Sequence, residues 1–502
     1  MLKVLSVTPR TVTLELQNDR PYYAEEEFSV YVNGSFCRLE KRNVFTLFDL
    51  SPDTVYQIKV ADKCLEVQTK CESVCLNVKD FQAIGDGISD DTVKIQAAIA
   101  CCPKNGTVYL PKGTYLISCL FLKSDMMFYL AEEAKIIAMT DRRSFPVLPG
   151  KAGSYSFGTW EGSEVDNFAS SITAIGAHHL IIAGSGEIDE RAEDGDWYID
   201  HRVCRTAWRG FGMYLKDCSD VDVVGLYIHH SPSWNIHPYF SKNLKFLNLR
   251  IENPSAMPTT DGLDPDCCSN CLIAGCSFNV GDDCIAIKSG TIALAEKYRT
   301  PCERITIRNN LMQQGHGGVV FGSESSGGIR HVLVEKCIFL KTDRGFRIKT
   351  RRGRGRIGEI DDVTFTNIYM DGVKTPFVIN MYYNMGPKGG HEEYVWSTKY
   401  YSVDERTPIL GHFTFKNMVC RQIEYAAGVF LGLPEEPIRG VTFQNVSFDY
   451  NSDAEPGYPV MIEHPILMCR KGIYALNVEK LQLENVTFSN LLGEEIEKMD
   501  TK

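Results

Sequence analysis

Five aspartates fall within 32 residues of this chain, in the stretch TTDGLDPDCCSNCLIAGCSFNVGDDCIAIKSG: Asp261, Asp264, Asp266, Asp282 and Asp283. The apolar run CLIAGCSF between the two acidic groups is too short for a globular helix and is bounded by turn residues. It reads as a buried strand. Carboxylates gathered at strand ends repel one another, which raises the pKa of at least one. A carboxylic acid kept protonated near neutrality beside ionised carboxylates is the equipment of general acid/base hydrolysis. The spacing is not that of an EF-hand loop, so a calcium loop is the poorer reading.

Such residues work only if the fold brings them together. Beyond residue 170 short apolar strands recur in an inexact repeat, among them HLIIAG, DVDVVGLYI, LKFLNLRIEN, RITIRNNLM, HVLVEKCIF, DVTFTNIYM and GVTFQNVSF. Helical signals are nearly absent, which disfavours helical repeats and favours a solenoid of parallel strands in which each coil covers its neighbour's edge. With units starting near Leu244, Leu272, Ile305, Val332 and Val363, residues at equal offsets stack on one face. Asp282, Asp283 and His316 then become neighbours on adjacent coils. Asp261 ends the preceding coil, and Arg347 and Lys349 lie one coil beyond His316. Asn and Cys near many strand ends suit ladders that satisfy turn backbone.

The run RGFRIKTRRGRGR, residues 344–356, sets seven cations in thirteen positions of a chain whose formal net charge is -11. Arginine clusters serve phosphates and nucleic acids, but glycines and an adjoining acid site favour a polyuronate, because Arg forks match carboxylates. Arg352 is a further candidate substrate cation. Trp234 and His237 in SPSWNIHP are candidates for a substrate wall, and Tyr383 for stacking on a sugar ring.

Upstream, VKDFQAIGDGISDDTVKIQAAIACC holds one helix, capped by Asp90 or Asp91. Residues 1–75 alternate in short runs that suggest a small β-sandwich. Their segment LSPDTVY resembles the corner of a fibronectin type III module, in which a Tyr hydroxyl ties back to nearby backbone.

TTDG, GDDCIAIKSG, GHGG and GFRIKT, in that order and spacing, resemble the four motifs of the polygalacturonases, the family 28 glycoside hydrolases. The opening from Val78 resembles that of pectin-degrading right-handed β-helices, whose helix caps the coil. Thr259 departs from the family, which usually has Asn there. The resemblance implies an all-β chain: a right-handed parallel β-helix over 76–502 behind a fibronectin type III-like sandwich over 1–75. It implies a hydrolase of α-1,4-linked galacturonate, inverting, with no cofactor and no metal. Asp282 would be the general acid, Asp261 and Asp283 would hold and activate the water, and His316 would tune the acid. Arg347 and Lys349 would grip the substrate carboxylate. DGLDPD, SPSWNIHP and the Arg-Gly run resemble the exo-acting branch. Insertions at 139–170, 187–210 and 384–411, with the N-terminal module, would close the groove into a pocket.

Composition sets the remaining expectations. The acidic balance argues against nucleic acid or an anionic membrane as partner, and the partner expected is a pectic oligosaccharide. Eighteen scattered cysteines without CxxC pairs, and a start lacking signal-peptide character, suggest reduced thiols in a cytoplasmic protein. Oligomeric state is left open. The alternatives are a rhamnogalacturonan or xylogalacturonan hydrolase, an endo-acting enzyme, a calcium-dependent pectate lyase, betrayed by an unsaturated product, and a glycan-binding adhesin, which would release no reducing ends.

Overall fold

Each coil of the solenoid turns its apolar residues inward and then breaks at a residue in the left-handed region. Asp220, Asn243, Asn270, Arg304, His331 and Asp362 all have φ between 51° and 56°, and each immediately precedes one of the aligned residues Val221, Leu244, Cys271, Ile305, Val332 and Val363. Asn and Asp tolerate that conformation better than other non-glycine residues. Their side chains also bond from coil to coil, Asn243 to Asp220 and Asn270 to Asn243, both at 3.1 Å.

The computed structural model describes residues 1–384 and 392–500. It is a parallel β-helix whose long sheet runs through 23 strands, with a second face of seven parallel strands from Asp283–Ile287 to Ile496–Met499. A four-stranded sheet ending at Ile236–Tyr239 continues that second face, joined to it by single bridges through Leu263 to Ile236 and to Ile285. One apolar core fills the coils, from Val78 and Ile95 at one end to Ile473 and Val478 at the other. The helix Thr92–Cys101 buries Ile95, Ala98 and Ile99 over the first coil. Asp91 precedes it, but its carboxylate accepts the Ile84 and Gly85 N–H groups rather than capping the helix.

Register corrects one coil start: Cys271, not Leu272, stands opposite Leu244 and Ile305. Asp282 therefore lies level with His316, and Asp283 pairs with Gly317.

The N-terminal residues form a three-stranded and a four-stranded antiparallel sheet around Val12, Leu14, Phe28, Phe45 and Ile58. The Tyr56 hydroxyl accepts the Ser51 N–H at 2.8 Å. This module docks on the long sheet, with Leu5 and Val44 buried against Met127, Tyr129, Val224 and Ala274 and Glu15 bonded to Arg308 and Asn309. It leaves a cleft of about 820 Å³ lined by Lys3, Lys70, Asp222, Lys245 and Leu272. The aspartate strip is on the other face, so the module does not wall it. All eighteen cysteines are unpaired.

Candidate active site

Adjacent coils bring Asp261, Asp282 and Asp283 together: each offers a carboxylate oxygen, and these atoms lie within 4.8 Å of one another. The Asp261 carbonyl accepts the backbone and side-chain N–H groups of Asn235, and Gly262 donates to the Asp283 carbonyl at 2.9 Å. Gly317 leaves room for Asp283, since a Cβ there would stand 3.0 Å from Asp283 Oδ1. Asp283 is fully buried between two cations, Lys349 Nζ at 2.5 Å and Arg347 Nη1 at 3.3 Å. His316 is exposed beside Asp282, with Nδ1 3.5 Å from Asp282 Oδ1. The Thr259 N–H reaches the other Asp282 oxygen at 3.3 Å, and the Thr259 hydroxyl accepts from Arg209 at 2.8 Å.

The carboxylates divide electrostatically. Burial, with Asp264 and Asp282 nearby, holds Asp261 well above the usual carboxylate range. Asp264 is pushed by burial up to about 8, against the pull of Lys288. Asp282 goes the other way: burial raises it, but His316, Lys349 and Arg347 outweigh that and hold it below the usual range. His316 is raised by its bond to Asp282. Burial and crowding thus favour the protonated form at Asp261 and Asp264, while the neighbouring cations favour the ionised form at Asp282, the reverse of what a resting general acid at 282 requires.

Lys288, within GDDCIAIKSG, was not singled out in the sequence as a site residue. Its buried ammonium lies 3.8 Å from Asp261, 3.7 Å from Asp264 and 3.9 Å from Glu324, and 4.5 Å from the Trp234 ring centre. Arg354, on the basic run, bonds Glu324 at 3.2 Å. Glu324 lies near about 2, because Arg354 and Lys288 overcome its burial. Ile287 pairs with Phe321 and Gly322 with Lys349, so Lys288, the residue after Ile287, falls in the same column as Lys349; that periodicity was the available signal.

Three sequence candidates take other positions. His237 is wholly buried among Phe211, Tyr214, Trp234 and Tyr239, with Nε2 3.6 Å from Asp266. Trp234 is buried, stacked with Trp160 and Phe211 beneath Lys288. Arg352 is buried too, paired with Glu435 at 2.5 Å and donating to the carbonyls of Tyr394, Ser397 and Lys399. All three are packing residues. Tyr383 is half-buried, its ring centre 5.9 Å from Lys349 Nζ.

Loops ring this face. From 139–170, Trp160 lies under Arg209, and half-buried Glu161, pushed up to about 7 by burial and by Glu324, adjoins Lys288, Arg354 and Arg209. From 187–210, His201 accepts from Arg209, and Tyr198 donates to the Ser231 carbonyl. The excursion 384–411 lies partly outside the described residues. A segment not expected from the sequence, around Met461, covers the far side: Arg347 Nη2 stands 2.9 Å from Met461 Sδ, and Asn380 donates to the Met461 carbonyl at 3.0 Å.

The family model for Glycosyl hydrolases family 28 matches residues 152–396, and one for Rhamnogalacturonase A/epimerase, pectate lyase-like, matches 75–126. A probable polygalacturonase of Vitis vinifera is 28% identical over 393 residues, covering 77% of this chain and 76% of its own. Other relatives are named as endo- and as exo-acting. Among solved structures, a hyperthermoactive exopolygalacturonase from Thermotoga maritima superimposes with a TM-score of 0.65 at 25% identity, over 83% of this chain and 91% of that one. A family 28 exopolygalacturonase from Yersinia enterocolitica gives 0.75 at 20% identity, over 100% and 98%, and so shares the fold through the N-terminal module.

Proposed function

We propose that this chain, a hydrolase of the polygalacturonase type in glycosyl hydrolase family 28, releases galacturonate units from the ends of α-1,4-linked galacturonate oligomers. The observation that carries this reading is the buried pair of cations, Lys349 and Arg347, beside three clustered carboxylates. A uronate carboxylate entering there meets an ammonium and a guanidinium fork, the partners suited to it.

Entry of that carboxylate also offsets Lys349 and Arg347, two of the three groups that hold Asp282 low. A proton of the cluster then moves from Asp261 to Asp282. Asp282 becomes the acid that protonates the leaving glycosidic oxygen, and Asp261, now ionised, shares with Asp283 the water that attacks the anomeric carbon. His316 keeps Asp282 oriented. The nearest oxygens, within 4.8 Å, are closer than the about 6.5–9.5 Å usual between inverting carboxyl groups, so carboxyl spacing does not support inversion. It rests instead on the two carboxylates holding one water together, and proton NMR of the first product tests it: β-galacturonate is expected, and α would overturn the inverting route.

Exo action is supported by the loops around Glu161 and Met461, which bring side chains against Lys288 and Arg347 and narrow the approach of a long polymer. Chromatography of early products from a galacturonate hexamer tests it. Mono- or digalacturonate with the pentamer or tetramer is expected; a ladder of intermediate sizes at low conversion means endo cleavage and defeats the reading.

A further inference from the structure

A second cluster of ligating side chains lies away from the aspartate strip, where the strands Ala134–Ala138, Glu187–Asp189 and Tyr227–His229 run side by side. His229 ends its strand, and His230 follows with φ of 55°. In an extended strand consecutive side chains point to opposite faces; here the left-handed step turns both imidazoles to one point. Their Nδ1 atoms stand 2.9 Å apart, and Asp189 Oδ1 is 3.0 Å from His230 Nδ1 and 3.7 Å from His229 Nδ1.

Ligands about 2.0–2.1 Å from a tetrahedral zinc ion are separated by about 3.3 Å, and the three observed distances bracket that value. One ion can therefore sit within bonding distance of all three atoms, slightly off their plane. The outer contacts also fit. His229 Nε2 lies 2.7 Å from Glu187 Oε1, which places the ring proton on Nε2 and leaves the Nδ1 lone pair for the ion, the carboxylate–histidine arrangement of metal sites. Lys135 Nζ holds Asp189 Oδ2 at 2.9 Å and Glu187 at 2.7 Å, and Asp189 Oδ1, which accepts the Arg191 N–H at 3.1 Å, is turned to the histidines. With neutral imidazoles, two carboxylates against one ammonium leave a net negative charge for a cation to meet. His229 is buried, but the His230 side chain is 41% exposed, which gives an ion a way in and a water a fourth position.

We propose that His229, His230 and Asp189 bind one divalent ion of the zinc class, with Glu187 as the outer partner of His229. The ion would fasten the loop after Asp189 to the corner before Ser231, where Glu190 and Ala192 already donate to the carbonyls of His229 and His230. Full-length protein stripped with chelator and titrated with Zn²⁺ should bind one equivalent at this site and melt at a higher temperature. Co²⁺ should give the intense visible bands of tetrahedral coordination. His230→Ala should abolish the bands, and Glu187→Gln, which keeps the shape, should weaken Zn²⁺ binding about 10–100-fold. No rise in melting temperature and no bands would overturn the proposal. So would bands that survive His230→Ala, which would place the ion at Asp261, Asp282 and Asp283 or at Asp125, His178 and His179.

Discussion

Replacing Asp264 by Asn should make the protein more stable at neutral pH, and by an amount that depends on pH. Asp264 is completely buried, and neither carboxylate oxygen has a hydrogen-bond partner. Its pKa is raised by burial to about 8, against about 3.9 in an unfolded chain. A raised folded-state pKa gives stability that is complete below the unfolded value and is lost as pH rises to the folded value. Between about pH 4 and 8 the unfolded chain has released this proton and the folded chain has not. The cost is about 1.4 kcal/mol per pH unit, or about 4 kcal/mol at pH 7. An amide carries no such cost. Its two N–H donors need acceptors, which returns a constant part of the gain, but not the slope. Denaturant melts of both proteins at pH 5 and pH 7 read that slope directly: the advantage of the variant should grow by about 2.7 kcal/mol between the two. An advantage that is the same at both pH values would show that Asp264 is ionised in the folded protein and would refute the protonation pattern drawn for the site.

Asp282→Asn should lower turnover of galacturonate oligomers by at least about 10²–10⁴-fold, the usual worth of a general acid, with oligomer binding retained in a fluorescence titration; near-normal turnover would remove Asp282 from the acid role. Lys349→Met should impair both substrate use and folding, because it leaves buried Asp283 with Arg347 alone at 3.3 Å, a loss of about 3–5 kcal/mol when one partner of a buried pair is removed. The double variant Lys349→Met/Asp283→Asn should regain most of that stability and none of the activity. Failure to regain it would mean the pair is not the cause. Arg352→Met should lower the melting temperature through Glu435 and the loop carbonyls, with KM unchanged in the folded fraction; a raised KM would return Arg352 to the substrate.

What could be read from the sequence follows from what a solenoid makes periodic. Asp261, Asp282, Asp283, His316, Arg347 and Lys349 lie far apart in the chain, but each sits at a fixed place in its coil, so strand spacing alone gathers them. Even a one-residue error in a coil start, Leu272 for Cys271, moved them only by a step along the same strip. Periodicity does not say which way a side chain faces at a corner, and that is where the reading failed. SPSWNIHP turns onto the catalytic face, and the same turn buries Trp234 and His237 under Lys288 and Tyr239. In the basic run, Arg347 and Arg352 look alike as letters, yet one points to Asp283 and the other is captured by Glu435, a residue 83 positions away. Protonation was less legible still. Crowded acids announce that one of them must hold a proton, but the choice of Asp261 and Asp264 over Asp282 depends on Lys288, His316 and burial, all set by neighbouring coils. His229 and His230 show the same limit from the other side. Adjacent histidines on a strand point apart by default, and no ligand spacing marks them. Only the left-handed turn at His230, a backbone property that its residue type permits without requiring, brings their nitrogens to one point.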